Sequence, residues 1–575
     1  MKNLRDNRDF NALRLASIFL SRFPKSSWRA YPRVVCLVSF IVFLCTSCEF
    51  LKEEVDMVVV NANVYTVDDD FSKADAFAVH KGKFVAVGTS EEIRKTYTAD
   101  QIVDADGRTI TPGLIDAHCH FYGLGLKQQE VDLVGTKSFE EVLERVQQFQ
   151  RENQRDFILG DGWDQNDWEL KEFPTKTELD ELYPDIPVVL ERVDGHAYLV
   201  NQVALDMAGI KWDTKVEGGE IVKKWTDGYS GITGVLIDNP MRLIDAIIPE
   251  PSLEAQVQAL KDAERICMNY GLTTVNDAGL NRSTIELIDS LQQGGELSIR
   301  VYAMVSNTPE NLKHYLYQGP VKTEKLNVRS VKVYGDGALG SRGAVLKKPY
   351  TDKWGHYGAM VTPIEEIEDL ARRIAISEYQ MNTHAIGDSA NAVVLRTYEK
   401  ALQGKNDRRW KVEHAQVVDA IDFDYFKNGV IPSIQPTHAT SDMYWAEERL
   451  GEERIKGAYA YKKLLDKAGK VALGTDFPVE QVSPFLTFYA AVTRKDLDAF
   501  PKEGFQKQDA LTREEALRGM TIWAAYSNFE ENEKGSIEAG KFADFTIFNK
   551  DIMTVPAREI PTIMAEQTYI GGEVR

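Results

Sequence analysis

Six residues of this 575-residue chain have the types and spacing to act together on a substrate. Two stand side by side in Thr111-Pro112-Gly113-Leu114-Ile115-Asp116-Ala117-His118-Cys119-His120. Pro112-Gly113 is a turn signal, and Leu114-Ile115-Asp116-Ala117 reads as a short buried strand running out into the two histidines. Alternate residues of a strand face the same side, so His118 and His120 point one way and Cys119 the other. Two imidazoles at the end of a buried strand can hold a divalent metal; in isolation they also read as two unrelated strand-end histidines. Further along, Lys332, His384, His414 and Asp476 each lie at or near the end of another strand-like segment.

Those segments are the elements that must position the six. Strand patterns occur at 114–117, 272–277, 299–305, 328–334, 381–384, 410–414, 430–434 and 471–476, with helical patterns between most of them, as at 363–379. Strand–helix alternation repeated eight times predicts an α/β fold, a closed parallel (β/α)8 barrel of the TIM type. Barrel active sites form at the C-terminal ends of the strands, where these six residues fall. Residues 122 to about 265 do not fit the count and predict a large insertion after the first strand, with its own strands at 157–159 and 188–192. Alternating β pattern at 55–67, a hairpin at 76–87 around His80-Lys81-Gly82-Lys83, and a turn and strand at 535–548 predict one small β-sandwich built from both termini. The division expected is 49–110 and 535–575 for the sandwich and 111–534 for the barrel.

Residues 1–48 stand apart. A basic stretch precedes a short apolar run at 34–45 and the sequence Cys45-Thr46-Ser47-Cys48, the layout of an export signal. The run is short against the roughly 20 residues of a membrane span. The stretch resembles a bacterial lipoprotein signal with Cys48 as the lipidated residue, although Cys45 stands where such signals usually carry Leu. Lys52-Glu53-Glu54 resembles the sequence following the lipidated cysteine in surface-exposed lipoproteins of Gram-negative bacteria. The expected location is therefore outside the cytoplasm, anchored to the outer membrane or cell surface through lipid. Cys119 and Cys267 are the cysteines left in the body of the chain, and their apolar contexts predict free buried thiols. A net charge of -20 argues against nucleic acid as a partner; a homodimer stays open.

The ordered set of Thr111 to His120, Val331 to Arg342, Thr383-His384-Ala385-Ile386-Gly387-Asp388, Glu413-His414-Ala415-Gln416 and Leu473-Gly474-Thr475-Asp476 resembles the amidohydrolase superfamily of metal-dependent hydrolases. The likeness is to the branch that includes N-substituted formamide deformylase (amidohydrolase family 3) and covers residue 55 onward. The resemblance implies that His118, His120 and Asp476 hold one divalent ion, with zinc the expected metal, and His384 and His414 a second. Lys332 would bridge them as a carbamate, its amine having taken up carbon dioxide. A lysine suits this because burial and nearby cations lower its pKa and free the amine; an ion pair with Asp336 is the alternative for Lys332. The implied chemistry is hydrolysis of a non-peptide C–N bond in a small-molecule amide by metal-activated hydroxide. Asp476 would take the proton and hand it to the leaving nitrogen.

His196, in Asp194-Gly195-His196-Ala197, resembles a histidine that reaches the barrel mouth in this branch, where it could bind the substrate carbonyl; it also reads as a satisfied structural histidine. Arg342 could contact an anionic substrate group or pair with a carboxylate, and Trp163 could line the pocket or pack in a core. His438 could line the pocket; His80, His314 and His356 read as surface residues. A mononuclear deaminase or cyclic-amide hydrolase, lacking the lysine bridge, is the second enzyme reading. An inactive ligand-binding surface lipoprotein is the reading of another class.

Overall fold

The structure, a computed structural model, describes residues 52–226 and 229–575. The expected export segment and Cys48 lie outside the described residues. Among the described residues no helix is long and apolar enough to cross a membrane.

Both termini build the sandwich. Glu53–Val60 pairs antiparallel with Ala76–His80 and parallel with Tyr97–Asp104 in one sheet. In the other, Thr109–Pro112 lies between Asn63–Tyr65 and the C-terminal strand Phe545–Phe548. Val59, Phe77, Phe84, Ile110, Phe545 and Tyr569 close the core between the sheets. The hairpin at His80 turns on Lys81 and Gly82, with φ of 51° and 73°, the left-handed pair that a two-residue turn needs between twisted strands. His80 is half-exposed there and sits 3.2 Å from Asp56.

Eight parallel strands form the barrel: β1 (Leu114–Cys119), β2 (Leu272–Leu280), β3 (Arg300–Ser306), β4 (Leu326–Tyr334), β5 (Gln380–Ala385), β6 (Lys411–His414), β7 (Ile431–Ile434) and β8 (Ala472–Leu473). They pair in chain order, and covering helices pack as amphipathic faces require. Ile364–Ala375 buries Ile367, Leu370, Ala371 and Ile374, one stripe of a 3.6-residue period. The sheet closes where the chain after β8 meets β1. The Asp116 carboxylate accepts the Thr475 hydroxyl at 2.7 Å and its amide at 3.1 Å, and the Asp476 amide donates to the His118 carbonyl at 2.8 Å. A Cβ on Gly474 would stand 2.5 Å from the His118 nitrogen, so this approach requires glycine.

Two local expectations change. Pro112-Gly113 is not a turn: the chain runs from the sandwich strand directly into β1, and Gly113 leaves room for Thr273, whose side chain a Cβ would meet at 2.3 Å. The insertion is shorter than 122–265. Its own six-stranded sheet runs from Val131 to Asp238. Helix Leu253–Asn269 belongs to the barrel instead, because Leu260, Ala263 and Cys267 bury into the barrel core. Cys119 and Cys267 are free and buried.

Candidate metal centre

The strand ends converge. His118 is fully buried, and its Nδ1 lies 2.5 Å from Glu413 Oε2. Burial alone would raise the Glu413 pKa. His118, its hydrogen bond and the nearby Lys411 and Lys332 outweigh that and hold it down at about 2. Glu413 is therefore a carboxylate, Nδ1–H donates to it, and Nε2 is left with its lone pair. That Nε2 lies 3.1 Å from Lys332 Nζ and 3.5 Å from Asp476 Oδ1. His120 Nε2 is 3.3 Å from the same Oδ1.

On the other side His414 Nδ1 lies 2.8 Å from the amide oxygen of Gln435, which can only accept, so this ring too keeps its Nε2 lone pair. Its ring centroid is 4.8 Å from that of His118 and 4.5 Å from that of His384. His438 Nε2 lies 3.6 Å from Asp476 Oδ2. Asp476 thus joins two groups of three donors close enough to hold an ion, His118–His120–Asp476 and His414–His438–Asp476. Partners that orient a ring from behind, as Glu413 does for His118, tune metal ligands; in His414 the nitrogen bonded to Gln435 is also the one nearest Asp476, 3.9 Å from Oδ2. His414 and Asp476 both take left-handed backbone, with φ of 71° and 67°, at a cost of about 1–3 kcal/mol each that surrounding structure must sustain.

The electrostatics suit cation binding. Burial lowers the pKa of His118, with Lys332 adding to it, and pushes His384 and His414 far down, so all three are neutral donors near pH 7. Burial would raise Asp476, but the hydrogen bond from His120 and the surrounding imidazoles keep it well below the usual carboxylate range. Lys332 is 1% exposed and burial lowers its pKa. Its expected alternative partner is taken: Asp336 accepts the backbone amides of Val345, Gly387 and Ile386 at 2.8, 2.9 and 3.0 Å. A buried amine beside a histidine nitrogen, with no carboxylate paired to it among the described residues, fits an amine that can be carboxylated.

His384 belongs to neither three-donor group; its Nε2 lies 3.4 Å from the Gly337 carbonyl. His196, carried in by the insertion, brings its ring to 5.0 Å from that of His384. Its Nδ1 sits 2.7 Å from Asp238 Oδ1. Burial opposes protonation, but the Asp238 hydrogen bond and charge raise its pKa to about 9. A cavity of about 630 Å³ opens over these groups and is lined by His120, His196, Lys332, His384, His414 and Asp476 among others.

Two expected substrate residues lie elsewhere. Trp163 is not on the pocket wall: it is fully buried in the core of the insertion beside Trp168 and Phe173, and its Nε1 donates to the Leu190 carbonyl at 2.9 Å. Arg342 is not among the residues lining the cavity and pairs with Asp352 at 2.8 Å. His356 is half-buried, with Nε2 2.8 Å from the Arg342 carbonyl, rather than a surface residue. Sequence reasoning passed over Glu413, Gln435 and Asp238. Glu413 had a signal: Lys411 and Glu413 are charged residues on one face of an otherwise apolar strand. Gln435 and Asp238 carry none, because their roles depend on loop and insertion geometry.

Comparison with known proteins bears on the family and the fold. A family model described as the amidohydrolase family matches residues 101–575. The protein YtcJ of Bacillus subtilis is 30% identical over 89% of this chain and 97% of its own length. N-substituted formamide deformylase of Arthrobacter pascens is 26% identical over 90% of this chain and 98% of its own. The crystal structure of an uncharacterized metal-dependent hydrolase from Pyrococcus horikoshii superposes with a TM-score of 0.71 at 29% identity, covering 87% of this chain and 99% of that one.

Proposed function

We propose that this chain, which belongs to the amidohydrolase family, hydrolyses a non-peptide C–N bond in a small molecule, an amide or an N-formyl or N-acyl amine. The observation that carries the reading is the meeting of His118, His120 and Asp476 at ligand distances, with buried Lys332 3.1 Å from His118 Nε2 and no carboxylate paired to that lysine among the described residues. The likeness to N-substituted formamide deformylase supports the class of bond.

His118, His120 and Asp476 would hold one divalent ion, zinc by the chemistry of the donors, and His384 and His414 a second, with Lys332 as a carbamate between them. Ions held there supply Lewis-acid polarisation of a carbonyl and a water acidic enough to be a nucleophile near neutral pH. Glu413 and Gln435 hold His118 and His414 with one nitrogen committed and the other available. Asp476, ionised, accepts the proton of the attacking water on a carboxylate oxygen and passes it to the leaving nitrogen. His196, anchored through Nδ1 by Asp238, presents Nε2 to the cavity and hydrogen-bonds the substrate carbonyl oxygen there. The N-terminal segment supports a further part of the reading: export, with Cys48 lipidated and the enzyme held at a membrane surface.

Elemental analysis of protein lacking residues 1–48, beside a Lys332→Ala variant, tests this. About two ions per chain, falling in the variant, is the expected result. One ion, unchanged in the variant, would overturn the lysine bridge. Failure to cleave any of a panel of N-formyl and N-acyl amines would overturn the bond class.

A further inference from the structure

The cavity above the centre carries an imbalance of charge that the hydrolytic machinery does not use. Asp442 and Glu480, from the segments after β7 and β8, both line it. Each is satisfied only by neutral donors. Asp442 Oδ2 accepts from the Tyr459 hydroxyl at 2.7 Å and the Gln416 amide at 3.2 Å. Glu480 Oε1 accepts from the Ser441 hydroxyl at 2.6 Å. Among the described residues no lysine or arginine pairs with either carboxylate. Two other cations line the cavity: Arg192, whose charge also reaches Asp442, is committed to Asp164 and Asp194, and Lys127 is committed to Asp161 and Glu191. Arg242 also lines the cavity, and its charge acts on Asp245. Burial raises both carboxylates, Asp442 to about 7. Desolvation therefore penalises their charge until a cation arrives.

A second observation points to an occupant at the same place. His438 is 9% exposed and lines the same cavity, and among the described residues its Nε2 has no hydrogen-bond partner, Asp476 Oδ2 lying 3.6 Å away. A buried ring nitrogen left unpaired costs free energy, and a ligand N–H would relieve it.

We propose that Asp442, Glu480 and His438 form a subsite for a positively charged nitrogen on the substrate. The preferred substrate is then an amide or N-acyl amine that carries a second, protonated amine. Asp442 and Glu480 supply the counter-charge, and His438 Nε2 accepts one of the ammonium N–H bonds. The cation is held within a few ångströms of the reacting bond, because His438 Nε2 is only 3.6 Å from Asp476. The inference rests on the amide reading for the bond that is cleaved, but not for the recognition of charge.

Two matched pairs of compounds separate the claims. The first is N-formyl-1,4-diaminobutane against N-formylbutylamine, read as kcat/KM on the metal-loaded enzyme. The second is N-(4-aminobutyl)methanesulfonamide against N-butylmethanesulfonamide, which resist hydrolysis, read as Kd by calorimetry. The expected preference for the cationic member is about tenfold or more in both pairs, the factor one charge-assisted hydrogen bond supplies. In an Asp442→Asn, Glu480→Gln double variant it should fall to near unity, with the neutral compounds little changed. Circular dichroism and metal content check that the variant is folded and loaded. If it does not fold, each single variant should show part of the loss. Equal affinity for both members of the sulfonamide pair overturns the subsite, whatever the formamides do. Discrimination between the sulfonamides with no hydrolysis of either formamide leaves the subsite standing and counts against the amide reading. His438→Gln tests the part given to His438: retained metal with a reduced preference for the cationic members supports it, whereas loss of an ion would place Nε2 on the metal and overturn it.

Discussion

Replacing Glu413 with Gln tests whether the residues behind the metal ligands are what make the centre. Glu413 is fully buried, and its carboxylate receives His118 Nδ1–H at 2.5 Å. Its pKa falls from the usual 4.5 to about 2 in the folded chain. That gap corresponds to about 3 kcal/mol of stability. Because the folded pKa is depressed, this stability is fully present above about 4.5 and is lost as the pH falls through about 2. Metal-free wild type should therefore lose part of its resistance to urea between those pH values, and Glu413→Gln should start lower and lack that component. The amide has no charge to polarise the imidazole and can present its NH2 to Nδ1, which would turn the lone pair away from Asp476. Removing such an orienting partner costs about 10–100-fold in metal affinity or activity. Competition against a chelator of known affinity reads the first, and urea unfolding of the metal-free protein at pH 7 and pH 3 reads the second. A variant with wild-type metal affinity and wild-type pH dependence of stability would refute the reasoning, showing that the His118–Glu413 contact neither orients the ligand nor depresses the carboxylate.

Other outcomes follow from single contacts. Gly474→Ala should destabilise the chain by about 2 kcal/mol or more and lower metal content, measured by thermal unfolding and elemental analysis, because its methyl would stand 2.5 Å from the His118 nitrogen. Arg342→Ala should leave KM unchanged in steady-state assays, since the guanidinium is paired with Asp352 outside the cavity. Trp163→Ala should cost about 3–5 kcal/mol in urea unfolding, with binding of the sulfonamide probes intact wherever the protein stays folded. Expression of the full chain in a Gram-negative host with labelled palmitate should give labelled protein, and Cys48→Ser should abolish the label and release the protein from membranes.

The barrel was legible because strand periodicity is a local property. The eight segments at 114–117, 272–277, 299–305, 328–334, 381–384, 410–414, 430–434 and 471–476 each contain or overlap an observed strand. The ends of the first, fourth, fifth, sixth and eighth strands also announced their polar residues, His118 and His120, Lys332, His384, His414 and Asp476. What pairs across space was not legible. His438 comes near Asp476 because β7 and β8 pair in parallel, so the segments leaving their C-terminal ends start side by side. Asp238 reaches His196 because two insertion strands, at Ala197–Val200 and Tyr229–Asp238, run antiparallel in register. Trp163 reads equally as pocket or core, and the difference lies in which side of its strand faces the insertion helices. Helix Leu253–Asn269 was assigned to the insertion because nothing in its sequence says which of two cores it covers.

The sandwich is part of the centre's construction although it contributes no donor to it. Strand Thr109–Pro112 is held on both edges, by Asn63–Tyr65 and by Phe545–Phe548, and runs into β1 with Gly113 alone between them. A strand shifted by one residue turns every side chain to the opposite face. Pairing on both edges therefore fixes not only where β1 begins but which way His118 and His120 point. The joint is secured by Asp544, whose carbonyl accepts the Gly113 amide at 2.9 Å and whose carboxylate takes Arg300 of β3 at 2.6 and 2.9 Å. One residue of the C-terminal segment thus ties the start of the histidine-bearing strand to the barrel wall two strands away. This is a physical reason for the two chain ends to fold together beneath the strand that carries His118 and His120.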